Sequence, residues 1–296
     1  MKLNRLPILI VPIILSVFFL SPQATARSPK AVENTPVYYL SLGTSLAAGV
    51  QADPITGESI VTDVSYAGIL AEELGKDIKK LRHVNLGCPG ETSDSFIQGG
   101  KCGYPHGSQL DEALNFLHAH GKFTGLITID LGANDILSCV IGTDIDDECF
   151  YVTLNNLKGN LQFILQSLRD AAGPDVPIVA MNYYNPLLVF WLDENTRPLA
   201  KETILLQNEL NANLALVYGL YDVPVADVAG VFMSDDLVTD LNEDFIPDSV
   251  EILCELTWMC QFQNIHPNEI GYEAIAATFS GVLPKIPISE PPRGKK

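Results

Sequence analysis

Apolar and polar positions along this chain follow two periods in turn. Short runs rich in β-branched and aromatic residues, Val37–Leu42, Leu81–Leu86, Gly125–Leu131, Val176–Tyr183 and Val223–Ala226, read as buried strands. Between them the period lengthens to that of a helix. Ser65 to Leu74 brings Tyr66, Ile69, Leu70 and Leu74 near one face. Ser108 caps a segment that runs to His120 and stops at Gly121, with Glu112 in its first turns. Thr153 to Ala172 gives the clearest stripe, Leu154, Leu157, Leu161, Ile164, Leu165 and Leu168, and ends at Gly173. Pro198–Gly219 and Glu269–Val282 complete the helices, while Gln51–Thr62 reads as a polar loop. Strands alternating with helices predict an α/β fold: a three-layer α/β/α sandwich around a central parallel sheet.

The N-terminus breaks this pattern. Lys2 and Arg5 precede an almost wholly apolar run, Leu6–Leu20, and Ala24-Thr25-Ala26 supplies a small-x-small cleavage site. The run is shorter than the roughly 20 residues that span a bilayer. Residues 1–26 are therefore expected to be a signal peptide, which makes the destination secreted or periplasmic, with no stable membrane insertion after cleavage. Residues 27–286 then form one domain. Residues 287–296, rich in Pro and polar groups, are expected to be a disordered tail.

Charge narrows the partners. The net charge of −18 falls to −20 once residues 1–26 are gone, because they hold two basic and no acidic residues. So acidic a chain does not bind nucleic acid, whose phosphates demand a basic surface, nor anionic lipid. A monomer acting on a small molecule is expected. The six cysteines permit 15 connectivities. Export makes disulfides the default. Three local pairs, each bracketing a loop-like stretch, are expected: Cys88–Cys102, Cys139–Cys149 and Cys254–Cys260. With no Cys-x-x-Cys and no His at ligand spacing, no metal site and no cofactor are expected.

Chemistry-capable groups fall at strand ends, where open α/β sheets place their ligands. The first strand runs into Gly43-Thr44-Ser45-Leu46, the second into Asn85-Leu86-Gly87-Cys88-Pro89-Gly90-Glu91-Thr92, and the third into Leu131-Gly132-Ala133-Asn134-Asp135. Asn264-Ile265-His266-Pro267-Asn268 precedes the last helix. Taken alone, Ser45 reads as either a helix N-cap or a nucleophile. His83, His106, His118 and His120 read as structural.

Ser45, Gly87, Asn134 in a Gly-x-Asn-Asp block and His266 in a His-Pro block occur in an order that resembles the SGNH, or GDSL-type, serine hydrolases over about residues 37–280. The resemblance implies an SGNH/flavodoxin-like sheet and a secreted ester hydrolase with an acyl-enzyme mechanism. Ser45 would be the nucleophile and His266 the base. The Ser45 N–H, the Gly87 N–H and the Asn134 amide would be the oxyanion donors. Esters of lipids, acetylated glycans or small alcohols are all admissible substrates. Two positions depart from the family's pattern. Thr44 stands where the family has Asp before the Ser, and Gln263 stands where it has Asp three residues before the His. Three explanations stay open: an amide or backbone carbonyl from Gln263 or Asn264 orients His266, a carboxylate arrives from the acidic insertion before it, or activity is weakened or lost. The last makes a catalytically silent exported binding protein the alternative function.

The insertion, Ser234–Phe262, reads as a solvated acidic loop. Asp240, Asn242, Asp244, Asp248 and Glu251 match calcium-loop spacing, but Phe245 replaces the turn Gly. Trp258 and Met259 read as core, or as a wall of an acyl pocket. Tyr183-Tyr184-Asn185-Pro186 reads as a strand exit that can line a cleft. Phosphate-binding Gly-rich signatures and the Gly-x-Ser-x-Gly elbow are absent from the sequence.

Overall fold

The structure, a computed structural model, describes residues 36–284 and 286. The expected signal peptide and tail lie outside the described residues. Strand β1 (Val37–Gly43) leads into the short helix α1 (Ser45–Ala48), the hairpin β2 (Val50–Ala52) and β3 (Ser59–Val61), helix α2 (Tyr66–Asp77) and strand β4 (Leu81–Asn85). Helices α3 (Ser93–Gln98) and α4 (Gln109–His120) precede strand β5 (Thr124–Asp130). Helix α5 (Ala133–Leu137) and a second hairpin, β6 (Val140–Ile141) and β7 (Asp144–Ile145), lead to the long helix α6 (Asp147–Ala172). Strand β8 (Ile178–Met181), helix α7 (Arg197–Leu220), strand β9 (Val225–Ala226) and helices α8 (Val228–Val231), α9 (Asp248–Leu256), α10 (Met259–Phe262) and α11 (Glu269–Val282) follow.

The main sheet has the order β4-β1-β5-β8-β9, and every pair in it is parallel. Register aligns the strand ends. Ser41 lies opposite Asn85, Gly43 opposite Asp130, and Met181 opposite Ala226. The loops after β1, β4 and β5 therefore emerge side by side along one edge. β1 and β5 carry mostly apolar runs, broken by Ser41 and Thr128, because both of their faces are covered by helices. On one side Tyr66 of α2 stacks on Phe279 of α11, with ring centroids 4.6 Å apart. The α6 stripe is fully buried, with Leu161, Ile164, Leu165 and Leu168 all at 0% exposure. Caps fix the boundaries: the Ser65, Ser108, Asp146 and Asn268 side chains accept backbone N–H groups at the starts of α2, α4, α6 and α11.

Three expectations are corrected. The Gln51–Thr62 loop is an antiparallel hairpin, held by Val50 opposite Val61. Helix α6 starts at Asp147, before the apolar stripe, because Asp146 caps it. The acidic insertion is not all loop: Asp248–Leu256 is helix α9, with Asp248 and Glu251 in its first turn, where carboxylates suit the positive end of the helix dipole. Among the described residues no helix is long and apolar enough to cross a membrane.

Candidate active site

Gly43 ends β1 with φ +130°, and a Cβ there would sit 2.2 Å from the Asp130 carbonyl oxygen. Only glycine fits so close to β5. The turn it permits puts Ser45 at the first position of α1, 8% exposed. The Ser45 N–H meets no acceptor among the described residues, as expected at a helix start.

A carboxylate stands beside this turn, although not from the position before the serine. Asp130 Oδ1 accepts the Thr44 N–H at 2.9 Å and the Thr44 hydroxyl at 2.5 Å. Its Oδ2 accepts the Tyr66 hydroxyl at 2.9 Å. Complete burial pushes the Asp130 carboxyl up to about 7 against these donors. Gln109, also fully buried, grips the same turn from the other side. Its Oε1 accepts the Gly43 N–H at 2.6 Å, and its Nε2 donates to Gly43 O at 2.9 Å and to Glu91 Oε2 at 3.0 Å.

Glu91 joins the second loop to the third. Its carbonyl accepts from Asn134 Nδ2 at 2.9 Å, which leaves the second amide hydrogen of Asn134 free to face the cleft that Asn134 lines. Asp135 accepts the Ser93 N–H at 3.0 Å and the Ser93 hydroxyl at 2.6 Å, tying the start of α3 to α5.

Gly87 does not fit the role assigned to it. Its N–H donates to Asn85 Oδ1 at 2.9 Å, so it is not available to an oxyanion. A glycine is needed there because a Cβ would lie 2.6 Å from the Ala48 nitrogen. In the same loop the Gly90 N–H meets no acceptor among the described residues. Gly90 precedes Glu91, whose carbonyl holds Asn134. Of these two glycines, the one with its N–H unengaged is therefore Gly90 and not Gly87.

His266 lies on the segment between α10 and α11, its carbonyl accepting the Trp258 N–H at 3.0 Å. Its Nδ1 is 2.7 Å from Asn264 Oδ1, which also accepts the His266 N–H at 3.1 Å. Asn264 is buried, and its Nδ2 donates to Ser59 Oγ at 2.9 Å and Gly57 O at 3.3 Å on the β2–β3 hairpin. Those two acceptors fix the amide's orientation: nitrogen to the hairpin, oxygen to the imidazole. The oxygen can only accept, so Nδ1 carries the hydrogen and Nε2 presents its lone pair. Burial holds the ring's pKa down at about 4.

Gln263 is corrected as an orienter. It is an exposed, left-handed cap to α10 with φ +54°. Among the described residues no carboxylate bonds to His266, so none arrives from the insertion. Asp240 instead accepts the Phe245 N–H within its own loop. No group of three or more His, Cys, Asp or Glu is arranged to hold a metal among the described residues. Trp258 lines a separate groove with Gln51 and Ile60. Three of the other four histidines have partners elsewhere. His83 bonds Ser41 Oγ and stacks on Tyr39, His106 pairs with Glu112, and His120 packs on Tyr38 and Phe116.

Thr44, Ser45, Asn134 and His266 line one cleft, together with Tyr183-Tyr184-Asn185-Pro186 at the exit of β8. Disulfides join Cys88 to Cys102, Cys139 to Cys149 and Cys254 to Cys260. Each lies in a segment bordering these loops. Asp130, Gln109, Glu91 and Gly90 were missed in the sequence. A buried Asp at the end of an apolar strand was the one available signal.

Similarity to known proteins agrees with this geometry. The family model of the GDSL-like lipase/acylhydrolase family matches residues 41–274. A lipase from a goat rumen metagenome is 18% identical, with TM-score 0.52 over 83% of this chain and 96% of that one. A variant of an acetyl-xylooligosaccharide esterase from Geobacillus stearothermophilus is 14% identical, with TM-score 0.51 over 83% and 93%. At such identities these two show the fold alone. No curated protein matches the sequence. The matched span contains Ser45, Asn134 and His266, and the chain belongs to the GDSL-like lipase/acylhydrolase family of ester hydrolases.

Proposed function

We propose that this chain hydrolyses carboxylic esters outside the cytoplasm with a Ser45–His266–Asn264 triad, in which a neutral amide replaces the usual acid. The observation that carries the reading is the Asn264 amide, fixed by Ser59 and Gly57 and aimed at His266 Nδ1. It supplies the orienting half of the acid's role and omits the charge.

Ser45 Oγ attacks the ester carbonyl carbon as its proton passes to His266 Nε2. The carbonyl oxygen becomes an oxyanion, met by the Ser45 N–H, the Gly90 N–H and the free Asn134 amide hydrogen. Collapse breaks the bond to the alcohol oxygen, which takes the proton from Nε2. Water then attacks the acyl-Ser45, giving its proton to Nε2. The second collapse releases the acid, and the proton returns to Ser45. Asp130 and Gln109 hold the Ser45 turn, and Glu91 holds Asn134, so the donors are in place before charge develops. Three disulfides support an oxidising compartment and hence export.

The test is turnover of p-nitrophenyl acetate and butyrate, with covalent labelling by a fluorophosphonate, in wild type and Ser45→Ala. Turnover and labelling that vanish together in the variant support the reading. A folded wild type that neither turns over nor labels supports the silent binding protein.

A further inference from the structure

The cleft that reaches Ser45 continues past it into the protein. Its far walls are Leu137 at the end of α5, Val140 and Ile145 on the β6–β7 hairpin, Phe150 in the first turn of α6, and Leu206 and Leu210 on α7. Phe150 is 1% exposed and Leu210 3%, yet both border open space. The cleft is therefore floored by core residues, while Leu137, Val140, Ile145 and Leu206 on its walls are half-buried. The Cys139–Cys149 bond clamps the hairpin to the start of α6, so this wall is held in place.

The polar groups on the walls are engaged by the protein itself. Asn185 Nδ2 donates to Thr203 Oγ1 at 2.9 Å, and Asn185 Oδ1 accepts the Leu187 N–H at 3.0 Å. Thr203 donates to Ala200 O, and Gln207 Nε2 donates to Tyr183 O, both at 2.9 Å. Among the fully buried side-chain polar atoms here, the Tyr183 hydroxyl is the one without a partner. Whatever enters must be apolar, because a sugar or other polyol would lose its water and find almost no replacement partners. An acetyl methyl would leave most of the inlet without contacts.

We infer that this inlet is an acyl-chain pocket, and that the favoured substrates are esters of fatty acids of medium or longer chain, not acetyl esters. The inference rests on the ester-hydrolase reading above and assigns the half of the ester that this side of Ser45 receives. The acyl half suits an inlet, since it stays bonded to Ser45 after the alcohol has left. An alcohol held there would be trapped behind the acyl-enzyme.

The test varies one half of the ester at a time. With p-nitrophenyl esters from acetate to octanoate, kcat/KM rises with each added methylene by up to about fourfold, the factor expected for one buried methylene. Ile145→Trp, on the half-exposed hairpin, and Leu206→Trp lower the octanoate-to-acetate ratio at least tenfold. Ser45→Ala binds cis-parinaric acid, and Ile145→Trp in that background weakens the binding. Ser45-dependent turnover with no gain from acetate to octanoate overturns the acyl pocket and leaves the hydrolase intact. Preference for octyl acetate over ethyl acetate, with no preference among the p-nitrophenyl esters, also overturns it by placing the apolar group on the alcohol. Bound parinarate without turnover of any ester keeps the pocket and removes the hydrolase; absence of both removes the two together.

Discussion

Replacing Asn264 by Asp restores a charge next to His266 and leaves the shape almost unchanged. Asn264 Oδ1 and His266 Nδ1 are 2.7 Å apart. With charge centres about 4 Å apart and an effective dielectric of about 20, a carboxylate and an imidazolium attract by about 4 kcal/mol. The substitution also changes the contacts on the other side of the side chain. The Ser59 hydroxyl can turn and donate to the new carboxylate, but Gly57 O, which accepts from Nδ2 at 3.3 Å, would face an oxygen. Losing that partner costs about 1–3 kcal/mol. That cost falls on both protonation states of His266 and so on stability, while the attraction raises the His266 pKa by up to about 3 units. The wild-type ring is held at about 4 by burial, so the acid limb of kcat/KM against pH lies near 4. In Asn264→Asp it moves up, to about 7 at most, and turnover on the plateau is kept or raised because the imidazolium is now stabilised. Asn264→Ala removes the orienter and slows turnover by up to about 10⁴, the loss known when the orienting acid of a serine protease is replaced. The assay is a pH–rate profile of p-nitrophenyl butyrate hydrolysis for the three proteins, with protonation of His266 followed by NMR. An unmoved acid limb in Asn264→Asp, together with unchanged turnover in Asn264→Ala, would refute the triad.

Other consequences are equally direct. Asn134→Ala removes one oxyanion donor and should lower kcat about 10²–10³-fold with little change in KM; a purely KM effect would argue against the role. Gly87→Ala and Gly90→Ala should both lower Tm, the first through overlap with the Ala48 nitrogen and the second through its φ of +74°. Of the two, kcat should fall more in Gly90→Ala, where the strain displaces the donor N–H; a greater fall in Gly87→Ala would return the donor to Gly87. Asp130 is raised from 3.8 to about 7, so it stabilises the fold below about pH 4 and that contribution is lost as pH rises through about 7, by an amount on the order of 4 kcal/mol. Asp130→Asn lacks this loss, so its Tm should gain on that of the wild type from pH 4 to 8; parallel curves would contradict it. Non-reducing peptide mapping should recover Cys88–Cys102, Cys139–Cys149 and Cys254–Cys260, and any link between these pairs would contradict the structure.

The sequence by itself determined the framework, since the framework depends on local patterns. Two-faced apolar runs such as Val37–Leu42 can only be central strands. The Leu154–Leu168 stripe can only be a helix with one buried face. The order of Ser45, Asn134 and His266 carried the family, and the Cys spacing carried the local disulfides. The tertiary structure decided which atom of each loop faces which. Gly87 and Gly90 look alike in sequence; only the Asn85 side chain, turned onto the Gly87 N–H, tells them apart. Gln263 and Asn264 were equal candidates until the β2–β3 hairpin, some 200 residues earlier in the chain, oriented the Asn264 amide. Asp130 and Gln109 brace the Ser45 turn from 86 and 66 residues away. Such contacts leave no periodic trace, because they depend on strand register and on directed hydrogen bonds between segments distant in sequence.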